Sequence, residues 1–175
     1  ERWDPARKIN TMFWPQGEGD LRMQNPYWIA YRNLRLNQKK RYMLSAQLSY
    51  DITDWLNIAG RVRIDNSHTK YEQKLYASSN ATITEESTQG HYTIAKPDET
   101  QTYADVLANI NKRFGDYSLV ANVGASIVNN KFEELSYRGP IREKGIPNVF
   151  NVFDLDNAKK KARQDEWQEQ TQSIF

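Results

Sequence analysis

The side chains able to do chemistry are few and poorly spaced for catalysis. Only two histidines, His68 and His91, and no cysteine occur in 175 residues, so a His-based triad, a thiolate nucleophile or a His-rich metal cluster has little to draw on. The neighbouring carboxylates Glu85-Glu86 and Glu133-Glu134 diverge in extended chain, a poor start for paired acid–base work. Asp154-Leu155-Asp156-Asn157 gathers oxygens without the spacing of a calcium loop. It reads better as a helix start, with Asp156 or Asn157 as N-cap of a helix-compatible stretch from Lys159 to Gln172. No enzyme, metal or cofactor is expected.

Binding chemistry is better represented. Five Trp, ten Tyr and six Phe make 12% of the chain, more than a solvated tail carries. Trp14, Tyr27 and Trp28 precede the first regular segment, and Tyr71, Tyr76, His91 and Tyr92 fall in a Ser/Thr-rich stretch. Such aromatics can stack on a sugar ring or a peptide, or they can simply anchor and pack a loop. Arg61, Arg63 and Asp65 alternate along one segment, where they either pair with one another or meet a polar partner. Twenty-four Lys and Arg against 22 Asp and Glu leave a net charge of +2 without a basic block, so a nucleic-acid partner is unsupported.

Four segments of period 2 are the elements that would position these groups. Tyr42 to Tyr50 sets Tyr42, Leu44, Ala46, Leu48 and Tyr50 against Met43, Ser45, Gln47 and Ser49. After an Asp51–Asp54 turn, Trp55 to about Asp65 sets Leu56, Ile58, Gly60, Val62 and Ile64 against Asn57, Ala59, Arg61, Arg63 and Asp65, completing a hairpin. Tyr103 to Phe114 and Tyr117 to Val128 form a second hairpin around Gly115-Asp116, with Asn109 and Asn122 on the polar faces. The expected organisation is a leading region 1–38, a hairpin 39–66, a long loop 67–100, a hairpin 101–128, and a long loop 129–175 entering a further strand.

Connections thus alternate short and long. Structureless loops beyond roughly 12–15 residues are uncommon in compact soluble domains, whereas an outer-membrane β-barrel has short periplasmic turns and long extracellular loops. Tyr42 to Tyr50 would span roughly 26 Å, or about 19–20 Å along the membrane normal at a ~40–45° tilt. Both tyrosines would then lie near the interfacial girdles, with Trp55 and Tyr117 as turn-side anchors. Only 36 residues are Leu, Ile, Val or Phe and mean hydropathy is −0.85, which rules out a transmembrane helix but not strands that turn alternate residues to lipid. The competing architecture is a soluble β-sandwich, which alternates in the same way. In a barrel, Leu44, Leu48, Ile58, Val62, Val106 and Val123 would face lipid, and Gln47, Arg61, Arg63, Asp65, Asn109 and Asn122 a polar lumen.

The wording of these segments carries a resemblance. Asn25-Pro26-Tyr27-Trp28, Tyr50-Asp51-Ile52-Thr53-Asp54-Trp55-Leu56 with Gly60-Arg61-Val62, Asn111-Lys112-Arg113-Phe114-Gly115-Asp116-Tyr117-Ser118-Leu119, and Ile146-Pro147-Asn148-Val149-Phe150-Asn151 occur in an order that resembles the middle of SusC/RagA-family TonB-linked outer-membrane proteins. The resemblance covers Asn25 to about Asn151. It implies an all-β, antiparallel segment of about four complete strands within a larger 22-stranded barrel filled by a plug. It also implies import of glycans or peptides across the outer membrane of Bacteroidetes-type bacteria, under a SusD-like lipoprotein lid, with TonB acting through the plug. On that reading Arg61, Arg63 and Asp65 touch plug or substrate, and the loop aromatics touch ligand or lid. The opening Glu1-Arg2-Trp3 has no initiator Met or apolar leader, so a mature or excised piece is expected. A secreted or surface β-sandwich that binds glycans is the alternative.

Overall fold

The computed structural model describes residues 2–13 and 24–175. Trp14 lies outside them. The elements are β1 (Arg2–Asp4), β2 (Ile9–Thr11), a short helix α1 (Pro26–Arg32), β3 (Asn33–Thr53), β4 (Leu56–Tyr76), β5 (Gly90–Phe114), β6 (Tyr117–Pro140), a single 3₁₀ turn at Val152–Asp154, and β7 (Lys161–Ile174). The fold is all-β with antiparallel sheets. One sheet pairs β1 with β2; the other is a five-stranded meander in the order β3-β4-β5-β6-β7. No helix among the described residues is long and apolar enough to cross a membrane, which says nothing of strands.

The strands outrun the sequence-based expectation. β3 and β4 are 21 residues each, β5 is 25 and β6 is 24, or roughly 70–80 Å of extended chain. The expected long loop 67–100 contracts to 77–89, and the region 129–175 holds the end of β6 and all of β7. The added strand residues are mostly polar with scattered apolar ones such as Leu75 and Tyr92, so no sustained alternation marks them, and Pro97 argues locally against a central strand. β7 replaces the expected Lys159–Gln172 helix. Its Lys, Arg, Glu and Gln are good helix formers, but pairing against β6 overrides that preference. Asp156 caps only a turn, its Oδ1 accepting from Ala158 N at 2.8 Å. The leading region is also structured: Asn25 Oδ1 accepts from Tyr27 N at 2.9 Å, and Pro26 supplies a first helical residue that needs no partner for its nitrogen.

The chain forms two compact units, residues 1–38, 69–97 and 134–164 in unit one and residues 39–68, 98–133 and 165–175 in unit two. All buried apolar side chains among the described residues, Ile9, Met12, Trp28, Leu75, Ala77, Tyr92, Pro140, Ile141 and Leu155, belong to unit one. They are joined by buried polar groups with specific partners. Trp28 Nε1 donates to Ser79 Oγ (2.9 Å), which donates to Asn33 Oδ1 (3.0 Å). Ser87 Oγ donates to Ile141 O (2.7 Å), and Asn148 Oδ1 accepts from Ala77 N (2.7 Å). The last two satisfy backbone groups that irregular segments would otherwise bury unpaired, and the first two satisfy the indole N–H and the serine hydroxyl. In unit two the apolar face is open: Leu44, Leu48, Val62, Val106 and Val123 are 49–77% exposed and Ile58 is half-buried.

Two predictions concern unit one. Gly90 has φ +112°, and a Cβ there would stand 2.6 Å from Leu75 O and 3.2 Å from Ala77 N. Gly90→Ala should therefore lower stability by roughly 2 kcal/mol or more, read as a fall in the urea midpoint. His91 is 5% exposed with Nδ1 unpartnered and Nε2 3.6 Å from Glu85 Oε1. Burial holds its proton affinity below the ordinary 6.5; Glu85 opposes this and Arg138, paired with Glu85, reinforces it. The unfolded chain then binds the proton more readily, so stability is full above about pH 6.5 and falls as pH drops below it. His91→Gln should flatten the decline in thermal midpoint between pH 7 and 5.

Candidate functional site

The alternation that defines the strands also gathers polar side chains on one face of unit two, where they bond across strands. Arg41 on β3 grips Asp65 on β4 in two-pronged fashion, Nε to Oδ1 at 2.8 Å and Nη2 to Oδ2 at 2.5 Å. Arg61 on β4 donates to Asp105 on β5 from Nε at 3.0 Å and from Nη2 at 2.5 Å, and the Tyr103 hydroxyl donates to the same oxygen at 2.5 Å. Arg63 Nη2 donates to Gln101 Oε1 (3.0 Å), whose Nε2 donates to Asn130 Oδ1 on β6 (2.9 Å). The guanidinium carbons of Arg61 and Arg63 stand 5.6 and 5.5 Å from the centre of the Tyr103 ring. Nearer the hairpin turns, Asn109 Nδ2 donates to Asn57 Oδ1 (3.2 Å), and Asn57 Nδ2 donates to Asp51 Oδ1 (2.6 Å).

A cleft of about 390 Å³ opens on this face beside the network. Arg41, Asp65, Gln101 and Asn130 line it together with Phe132 and Trp167, whose rings stack at 5.7 Å and 17°. Trp167 is 50% exposed. A flat apolar wall beside fixed charges and amides is suited to holding a polar solute that carries a ring or a planar group. Arg63 Nε is buried without a protein partner, a donor turned to no neighbour. The ions of the network neutralise one another, which fixes their positions rather than activating any of them.

Of the residues expected on a polar face, Arg61, Arg63, Asp65 and Asn109 enter this network, while Gln47 and Asn122 are exposed. Arg61, Arg63 and Asp65 do not pair with each other; side chains two apart on a strand point the same way, and their partners come from the adjacent strands. Asp105 lies on the face of its strand expected to be polar, with no role assigned to it there, whereas Tyr103, Gln101, Asn130, Phe132 and Trp167 were not expected at a site. Tyr103 and Gln101 share the parity of Asn109 and were there to be found; Phe132 and Trp167 sat in regions read as loop and helix.

The expected aromatic contacts divide. Tyr27 is 74% exposed and Tyr71 half-buried. Trp28 is 1% exposed and Tyr92 4%, which corrects the expectation that they reach a ligand or lid. Both are core residues, because α1 turns Trp28 inward and β5 extends through Tyr92 instead of leaving it on a loop. The Tyr92 hydroxyl donates to Glu72 Oε1 at 2.7 Å; burial first, and then this carboxylate, push its pKa well up. Burial alone would raise Glu72 too, yet the Tyr92 hydroxyl with Lys70 and Lys74 outweighs it and holds the carboxyl below its ordinary range. The Tyr76 ring lies 5.0 Å from that of Phe150, with the Arg32 guanidinium 5.2 Å from its centre. His68 Nδ1 is paired with Asp98. Asp154 is held by Arg142 at 2.7 Å and by Asn151, which occupies oxygens that the sequence offered to a cation.

No family model matches the chain, and no curated protein matches it.

Removing Asp105 should release two partners at once. In a double-mutant cycle of Arg61→Ala with Asp105→Ala the two losses should be less than additive in urea midpoint, and Tyr103→Phe should reproduce part of the Asp105 effect.

Proposed function

We propose that the chain is part of the barrel wall of a TonB-dependent outer-membrane importer of the SusC/RagA type, taking up glycans or peptides with a SusD-like lipoprotein lid. The observation that carries this is the division of buried apolar surface. Unit two has five-stranded backbone pairing and an aliphatic face, yet none of its apolar side chains is buried. Leaving Leu44, Leu48, Val62, Val106 and Val123 in water would forfeit about 1.5–3 kcal/mol for each, and lipid removes that loss. A β-sandwich would cover the same face with a second sheet.

Three further features support the reading. Both connections at the hairpin ends are two residues long, Asp54-Trp55 and Gly115-Asp116, whereas the others run over 77–89 and 141–160, the alternation of short turns and long loops found in outer-membrane barrels. Lys112 Nζ sits 4.1 Å from the Trp55 ring centre and 5.2 Å from that of Phe114 beside the two turns, and Tyr117 is 80% exposed, an arrangement suited to an aromatic girdle. Finally, β3 and β7 are open edges, which lipid does not tolerate, so in this reading both pair with further strands of the closed, 22-stranded barrel. The polar network faces the lumen, and the Phe132–Trp167 cleft contributes to the solute path or to contact with the plug.

The test is the solvent the chain needs. In buffer it should aggregate, and in detergent or lipid it should give a strand-rich circular dichroism spectrum. With both edges paired in a closed barrel, Leu48→Arg or Val62→Arg should cost roughly 2–4 kcal/mol of folding free energy in bilayers, and Gln47→Arg far less. A cooperative, monomeric species in detergent-free buffer, indifferent to Leu48→Arg, overturns the proposal.

A further inference from the structure

Two aromatic rings of unit two stand on its polar face, where a lipid neighbour on the aliphatic face would not cover them. Phe132 and Trp167 line the cleft of about 390 Å³ beside Arg41 and Asp65, a volume within the range of ligand pockets, roughly 300–1,000 Å³. Phe132 backs Trp167, with 5.7 Å between ring centres and 17° between planes, and the indole stays 50% exposed. A buried hydroxyl belongs to the same wall. Ser67 is 7% exposed, and its Oγ has no hydrogen-bond partner, so no bond holds its rotamer. Asn130 adds an amide: its Oδ1 accepts from Gln101 Nε2 at 2.9 Å, while its Nδ2 donates to no protein group among the described residues. The charges of the cleft answer one another. Arg41 pairs with Asp65 and Lys131 with Glu133 and Glu166, and Lys39 and Glu99 contribute one ion of each sign.

We propose that this cleft binds a neutral glycan, one pyranose of which packs its C–H face on Trp167 while its hydroxyls bond to Asn130 and Ser67. The wall offers an amide N–H that lacks an acceptor and a serine hydroxyl that lacks any partner. A group that donates and accepts at once complements both, and among neutral groups the hydroxyl does so. A sugar carries several such hydroxyls on a ring whose C–H face is apolar, which matches the exposed indole beside them. An ionic ligand would give up its water to a cleft whose own charges are already balanced, with no net attraction in return. An extended peptide binds by bonding its backbone along a free strand edge. This cleft draws side chains from β3 through β7 and so lies over the face of the sheet, where the ladder takes up the backbone groups. A nucleobase stacks on an indole as well, yet its edge presents fixed donors and acceptors rather than groups that serve as either. As a step of uptake this binding rests on the importer reading; as binding it rests on Trp167, Asn130 and Ser67.

The experiment is calorimetric titration of the full chain, with tryptophan fluorescence in parallel, in whichever medium preserves its strand spectrum, buffer or a detergent without a sugar headgroup such as lauryl dimethylamine oxide. The probes are cellotetraose, a linear galactotetraose, tetragalacturonate, tetraglycine blocked at both ends, and adenosine. At least one of the two neutral sugars should bind and shift the tryptophan emission, and the other three probes should bind at least tenfold more weakly than it does. Trp167→Ala should weaken binding roughly tenfold, and Asn130→Ala about threefold to tenfold, the loss expected for one hydrogen bond. Trp167→Phe should keep the affinity within about threefold and lose the emission shift, which a merely structural role for Trp167 would not produce. Absence of binding by both neutral sugars overturns the proposal. So does equal or tighter binding of tetragalacturonate, the blocked peptide or adenosine, or indifference of the affinity to Trp167→Ala in a chain with unchanged circular dichroism. The medium in which the chain folds decides the importer reading separately: a neutral sugar bound by a monomer in detergent-free buffer removes transport and leaves the glycan site standing.

Discussion

A single antiparallel sheet has two faces and no interior, and unit two is built under that constraint. Its backbone groups find partners along the meander, but its side chains must reach equilibrium with whatever lies on either side. On one side they do so by bonding to each other: Arg41 to Asp65, Arg61 to Asp105, Arg63 through Gln101 to Asn130. Each link joins neighbouring strands, so the network adds side-chain register to the register already set by the backbone. On the other side the aliphatic residues have no protein to pack against. That asymmetry is what favours a lipid neighbour.

Unit one solves a different problem. Its irregular connections bury polar groups that cannot enter a ladder, and these are answered by short polar side chains at fixed places, Ser79 on the Trp28 indole Nε1, Ser87 on Ile141 O, Asn148 on Ala77 N. Among the described residues the buried apolar complement is small, Trp28 and Tyr92 its largest members, with the Tyr92 ring 6.0 Å from that of Phe150. Burial there also shifts protonation, downward at His91 and upward at Tyr92, because a charged imidazolium or phenolate would be poorly solvated.

The two hairpins were legible because their polar and apolar sides face different surroundings. Leu44, Leu48 and Val62 alternate with Ser45, Gln47 and Arg61, and the Gly115-Asp116 turn announces itself. Where the strands run into unit one, as for residues 69–76 and 134–140, polar and apolar side chains are buried or half-buried without regular spacing, Glu72 as well as Leu75, so alternation vanishes and strand looks like loop. β7 is the sharper case, since its local preference is helical and only an unpaired β6 edge makes strand the better choice. Trp28 and Tyr92 were misplaced for a related reason: a lone aromatic in an aperiodic stretch carries no sign of which side it will turn.

The sequence by itself determined the all-β class, the two hairpins and the identity of the polar face, because period 2 is a property of neighbouring residues and needs no knowledge of the rest of the chain. Tertiary structure alone decided the partners of Arg61 and Asp65, the strand state of residues 161–174, the burial of Trp28 and Tyr92, and the gathering of Trp3, Arg7 and Lys8 with Arg32 and Tyr76. Those outcomes depend on contacts between residues 20 to more than 70 positions apart, whose registry is set only when whole strands and turns come together.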